Sequence, residues 1–317
     1  MHGDALLPWM LRMDWRNDPR AFLTVDLASW PADQPFDPLP PVPLIGIGDA
    51  AHPQAHGLDL VLEPPFSLAS LSAAIAHAPQ ASATLVQLLR ATEALPPDRA
   101  IIAESFAFAM LQAGSEHAAW RAAREADKQL PSGILHIRRD GATLDLLLER
   151  PDAGNAIDRD MRDALYDAFS LAALDDSIAR VRLRSTGRTF SMGADLAEFG
   201  TTRDPVEAHA IRMRTLPALP LMRRANITEA HIQGGCVGSG LEIAAFAGRV
   251  TASSDAWFQL PETGMGILPG AGGTVSVPRR IGRQRAALLM LSGKRIGAAT
   301  ALGWGLIDRI MDEPSVD

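Results

Sequence analysis

Cysteine and tyrosine are the scarcest residues of this 317-residue chain, with one of each, Cys236 and Tyr166. A single cysteine forbids an intrachain disulfide and fits a reducing compartment, so a cytoplasmic location is the expectation. Cations are also in short supply: 30 Lys and Arg against 37 Asp and Glu leave a net charge of −7. No basic excess is available to neutralise nucleic-acid phosphates, so a nucleic-acid partner is not expected. A local basic pocket for a small anion is still compatible with that balance. No apolar run approaches the ~18 residues that suggest a membrane-spanning helix. The opening "MHGDALLPWMLRMDWRND" carries Asp4 and no long apolar stretch, a poor signal peptide. Metal-ligand spacing is missing among the eight histidines, and no metal is expected.

What remains is ordinary globular composition, 47% apolar and 21% charged, enough for one large domain or two modest ones. Its character changes twice. Nine of the 23 prolines fall between Pro31 and Pro65, so residues 1–65 read as a proline-rich lead with brief strands in "AFLTVDL", "PLIGIGD" and "LDLVLE". Residues 66–131 are rich in alanine and leucine. Leu85, Leu88 and Leu89 follow helical spacing, as do Ile102, Phe106 and Met110. Two or three helices are expected, broken near Pro79 and Pro96-Pro97. Residues 132–317 read as α/β. "GILHIRRDGATLDLLLER" predicts a hairpin at Asp140-Gly141. A helix with Met161, Leu165, Phe169 and Ala172 on one face follows, then strands in "ARVRLRS", "ITEAHIQ" and "AWFQL".

The stretch "IQGGCVGSGLEIAAF" concentrates four glycines between Gly234 and Gly240 ahead of an apolar helix. A phosphate cradle is one reading. Gly234, Gly238 and Gly240 have the G-x-x-x-G-x-G spacing of a reductase dinucleotide loop, a weak signal alone. Such a loop belongs near the start of its domain, and those enzymes need a lysine four residues after a tyrosine. Here Ser170 follows Tyr166 at that distance. No Gly-Lys-Ser/Thr follows, which excludes a P-loop. A helix N-terminus serves any negative oxygen, including one that forms only during reaction, so an oxyanion hole is the competing reading.

The ordered series "LDLLLERPDAGNAI", "RTFSMGADLAEF", "IQGGCVGSGLEIAAF", "FQLPETGMGILPGAGGT" and "LSGKRIGAATALGWGLIDRIM" resembles the enoyl-CoA hydratase/isomerase family, the crotonases. The resemblance covers residues 133 to about 312. It implies a crotonase-like ββα spiral core that binds an acyl-CoA thioester, with no cofactor besides the coenzyme A of the substrate. It also implies a homo-oligomer, a trimer or hexamer. By motif position the backbone N–H groups of Met192 and Ser239 form the oxyanion hole. Glu242 and Glu262 are the catalytic pair, Glu242 for the water and Glu262 for the proton at C2. Ala153, Gly154, Arg188, Gly193, Asp195 and Gly238 are the substrate and coenzyme A contacts carried over. Asp195 also reads as a helix cap and Arg188 as an exposed arginine. Cys236 reads as a small packed residue.

Two carboxyls facing one side of an alkene can add water as general base and general acid. Hydration of a trans-2-enoyl-CoA is therefore the expected activity. A Δ3,Δ2-isomerase, which can work with one acid, and an inert scaffold that binds or assembles are the alternatives. The family places covering helices after the "GLID" motif, and here residues 66 to 128 resemble them. "HGLDLVLEPP" repeats the "GLID" junction of Gly305 to Asp308. Circular permutation and fusion of a decayed copy both fit; the repeated junction favours fusion. Either history predicts that this accessory helical segment packs on the α/β core.

Overall fold

A computed structural model describes residues 5–8, 18–125 and 130–312. The chain begins with three short strands, β1 (Leu23–Asp26), β2 (Leu44–Ile47) and β3 (Leu60–Val61), in a small parallel sheet. Four helices follow: α1 (Leu68–His77), α2 (Pro79–Thr92), α3 (Pro97–Gln112) and α4 (Ser115–Ala122). Pro79 and Pro97 sit at the first turns of α2 and α3, where a missing N–H costs no helical bond. Leu85, Leu88 and Leu89 are buried. The face of α3 differs from expectation. Ile102, Phe106 and Met110 are 40%, 57% and 59% exposed, while Ala100, Ile101, Glu104, Ser105 and Ala109 face the core. Small residues let α3 approach closely, and the buried carboxyl is satisfied by backbone donors described below.

The α/β region opens on the hairpin of β4 (Ile134–Asp140) and β5 (Thr143–Glu149), with Asp140 opposite Thr143 and Gly141 at φ +56°. β4 forms the sheet edge and is largely exposed. Helix α5 (Arg159–Leu174) buries Met161, Leu165, Phe169 and Ala172, and Asp158 caps it by accepting the Met161 N–H at 2.9 Å. Then come β6 (Arg180–Ser185), α6 (Pro205–Thr215), α7 (Ala218–Leu221), β7 (Thr228–Ile232), β8 (Gly235–Val237) and α8 (Ser239–Ala244). The region ends with β9 (Arg249–Ala252), β10 (Trp257–Gln259), α9 (Gly273–Ser292), β11 (Ile296–Gly297), α10 (Ala298–Trp304) and β12 (Arg309–Ile310).

Two sheets result. One has the order β12-β9-β7-β6-β5-β4, parallel except for β4; the other has the order β11-β10-β8. Each turn of the chain lays a strand in the first sheet, a short strand in the second and then a helix, as in β7-β8-α8 and β9-β10-α9. That is a ββα spiral, and it brings the glycine-rich turn before α8 beside the turn after β10.

Helices α1, α2 and α3 pack on α9, and α3 also packs on α6. Leu71, Leu85 and Ile101 share one apolar core with Phe169, Leu241 and Leu289. The front sheet copies the end of the chain. Asp59 N–H donates to Leu44 O at 3.1 Å, and Leu44 N–H donates to Asp59 Oδ2 at 2.8 Å. Asp308 N–H donates to Val250 O at 2.7 Å, and Val250 N–H donates to Asp308 Oδ2 at 2.6 Å. Leu62 N–H meets Gly46 O as Met311 N–H meets Ala252 O, at the same offsets from the two aspartates. The resemblance between the two junctions is thus one of hydrogen-bond register as well as sequence.

Candidate active site

Gly238 precedes α8 at φ +48° and ψ −126°, a conformation in which a side chain is strained. A Cβ there would lie 2.5 Å from Glu262 Oε1. The bare backbone therefore lets the turn after β10 seat its carboxyl against the start of α8. Glu242, one turn into α8, and Glu262 line a single cavity of about 280 Å³ with Met192, Gly193, Ala194, Asp195, Gly238 and Ser239. Its apolar walls include Ile211, Leu216, Ile243 and Ile267.

The two carboxyls differ in their partners. Glu242 Oε2 accepts the N–H of Ala271 at 2.7 Å and of Gly273 at 2.8 Å. Glu262 Oε2 is buried and has no hydrogen-bond partner among the described residues. Burial is the main force pushing both acids up; the charges of Glu262 and then Glu104 add to it at Glu242. Glu262 is raised to about 8, with its own backbone N–H opposing the rise. Backbone donors at the start of α9 favour charge on Glu242, while an orphaned oxygen favours the neutral form of Glu262. Burial outweighs the two donors at Glu242, whose carboxyl also lies well above the ordinary value.

A third carboxyl enters from the helical segment. Glu104 Oε1 accepts the Gly272 N–H at 2.8 Å, and its Oε2 accepts the Thr274 N–H at 2.9 Å and the Thr274 hydroxyl at 2.7 Å. Burial raises Glu104 to about 7 against these donors. The sequence marks Glu104, with Phe106 and Phe108, only by resemblance to the family's covering helices; its partners lie in a turn far along the chain.

One expectation is corrected. The Met192 N–H donates to Gly154 O at 2.9 Å and is already satisfied. Two residues on, Ala194 lines the cavity and its N–H has no partner among the described residues. The parallel bridge between Ile157 and Ala194 uses the Ile157 N–H to Gly193 O and the Asp195 N–H to Ile157 O, which leaves the Ala194 N–H free. Ala194 and Ser239 thus supply the available donors. The Ser239 hydroxyl is also buried without a partner among the described residues.

The other candidates divide. Gly193, Asp195 and Gly238 line the cavity. Asp195 is held by Arg150 at 2.7 Å and caps the following turn at the Ala197 N–H, 2.9 Å away. Ala153, Gly154 and Arg188 stand outside the lining: Gly154 O is occupied by Met192 and Thr189, and Arg188 is exposed. Cys236 is fully buried in the core, where burial raises its thiol.

The enoyl-CoA hydratase/isomerase profile matches residues 139–317, more than half of the chain. The chain belongs to the enoyl-CoA hydratase/isomerase family. The Bacillus subtilis (strain 168) protein YhaR, named for enoyl-CoA hydratase/isomerase, is 34% identical over 171 residues, 53% of this chain and 66% of YhaR. The enoyl-CoA isomerase/hydratase fer4 of Mycosarcoma maydis is 35% identical over 182 residues, covering 52% of this chain and 64% of fer4. The chain thus spans slightly less than two thirds of both relatives. Among solved structures, the enoyl-CoA hydratase of Thermoplasma volcanium GSS1 superposes with a TM-score of 0.51 at 35% identity, covering 56% of this chain and 72% of that one. The matched family region holds Glu242, Glu262, Ala194 and Ser239; Glu104 lies before it.

Proposed function

We propose that the chain hydrates a trans-2-enoyl-CoA to a 3-hydroxyacyl-CoA. The observation that carries this reading is the pair Glu242 and Glu262 in one cavity, one pinned by two backbone donors and the other without a partner for Oε2. Glu242 as carboxylate holds a water and takes its proton as oxygen bonds to C3. The electrons of the C2–C3 double bond move toward the thioester oxygen, where the N–H groups of Ala194 and Ser239 receive the charge. Glu262 then delivers its proton to C2. Proton exchange with solvent restores the two carboxyls.

Arg159 and Arg162, on α5, line the same cavity and supply cations suited to coenzyme A phosphates. An isomerase needs one acid, so the placement of Glu242 beside Glu262 favours hydration. The same reading includes a homo-oligomer, and mass photometry tests it. Among the described residues no helix is long and apolar enough to cross a membrane. Crotonyl-CoA is the first test. Loss of enoyl-thioester absorbance supports hydration; tight coenzyme A binding without turnover at any chain length favours an inert binding subunit.

A further inference from the structure

The cavity wall made by α3 and α6 carries a charge that the hydration mechanism does not use. Arg212, on α6, lines the cavity. Its Nε donates to Ser105 Oγ at 3.0 Å and its Nη2 to Ser105 O at 3.2 Å. The guanidinium carbon stands 4.4 Å from the centre of the Phe108 ring. Ser105 is itself buried, with its hydroxyl 2.9 Å from His209 Nδ1. Side chains from α3 therefore fix the plane of the guanidinium.

Among the described residues the remaining nitrogen, Nη1, has no hydrogen-bond partner, and no carboxylate forms an ion pair with Arg212. Glu104 is the acid whose charge it feels, yet both Glu104 oxygens are taken by Gly272 and Thr274. Burial lowers Arg212 to about 10. A partly buried cation whose neighbouring acid is bonded elsewhere has room for a carboxylate that a ligand brings. A planar guanidinium fixed on one side suits a carboxylate on the other.

We propose that the acyl group received by this cavity ends in a carboxylate, which Arg212 Nη1 binds. The substrate class is then the coenzyme A monothioester of an unsaturated dicarboxylic acid. This rests on reading the cavity as an acyl-CoA site, so the test separates binding from turnover. Calorimetry compares saturated thioesters matched in length, methyl-ended and carboxylate-ended, at four, six and eight carbons. The wild-type protein is expected to favour the carboxylate-ended chain by about tenfold or more at its best length, the scale of one charge-assisted hydrogen bond. R212M is expected to remove that preference, R212K to keep part of it, and S105A to fall between.

Equal or weaker wild-type binding of the carboxylate-ended chain at all three lengths overturns the proposal, and this comparison needs no variant. A preference that survives R212M also overturns it. Equal loss for both thioesters in R212M overturns it too, and places the arginine on the coenzyme A portion. The trans-2-unsaturated pairs are then assayed for hydration. A carboxylate preference in binding with no hydration of either series sinks the hydratase reading and leaves this one standing; binding of neither series sinks both.

Discussion

Glu104 and Glu242 interleave on a single turn. Ala271 and Gly273 donate to Glu242, while Gly272 and Thr274 donate to Glu104. Four successive N–H groups at the start of α9 are thus shared by a residue of the glycine-rich helix and one of the front helices. The proposed base is held by a turn that the accessory segment itself holds in place. The front helices therefore contribute to the geometry of the site as well as covering it.

E104A leaves the Gly272 and Thr274 donors without their carboxylate. Each buried orphan costs roughly 1–3 kcal/mol, so a loss of several kcal/mol is expected in urea unfolding. E104Q fills the space and is expected to retain more stability. If E104A unfolds at the wild-type urea concentration, the turn is held by other means.

The raised carboxyls make stability depend on pH with a definite sign. Glu104 lies at about 7 and Glu262 at about 8, against an ordinary 4.5. Between those values the folded protein holds protons that the unfolded chain has released. Their stabilising contribution is complete below about pH 4.5 and is lost as pH rises through 7 and 8. Unfolding scans from about pH 4.5 to 9 are expected to show that loss, and E104Q and E262Q to reduce it. Activity as kcat/KM is expected to fall above about pH 8, as Glu262 gives up its proton.

Asp59 binds the front sheet to the helices. Arg90 Nε donates to it at 2.7 Å, and the Leu44 N–H donates at 2.8 Å. D59A leaves a largely buried arginine uncompensated, a change worth about 3–5 kcal/mol. Chemical denaturation measures this, and near-wild-type stability would contradict the account of the front sheet.

G238A combines a strained φ with a Cβ 2.5 Å from Glu262 Oε1. Backbone strain of about 1–3 kcal/mol is expected, with turnover lost by displacement of the acid. A folded G238A with wild-type kcat would show that the seat of Glu262 is not critical.

Much of this was legible in the residues, and the misses have physical causes. The hairpin at Asp140-Gly141 and the buried face of α5 follow from local pattern. The place of Glu242 and Glu262 in one cavity is what the family resemblance implies, and the parallel pairing of β8 with β10 brings the segments that follow them together. Met192 was the wrong donor because which N–H stays free depends on Gly154, far back in the chain. The exposed face of α3 misled because counting large apolar residues ignores close packing through alanine and serine. Arg212 carried no signal, because its meaning depends on Ser105 and Phe108 from another segment.

The central claim is that two carboxyls act together on the enoyl thioester. Crotonyl-CoA hydration by the wild type, E242Q and E262Q tests it most directly, with binding of a saturated thioester as the control. The account predicts wild-type turnover, a loss of about 10²–10⁴-fold in each variant, and retained binding. Hydration at the wild-type rate by either folded variant would contradict it.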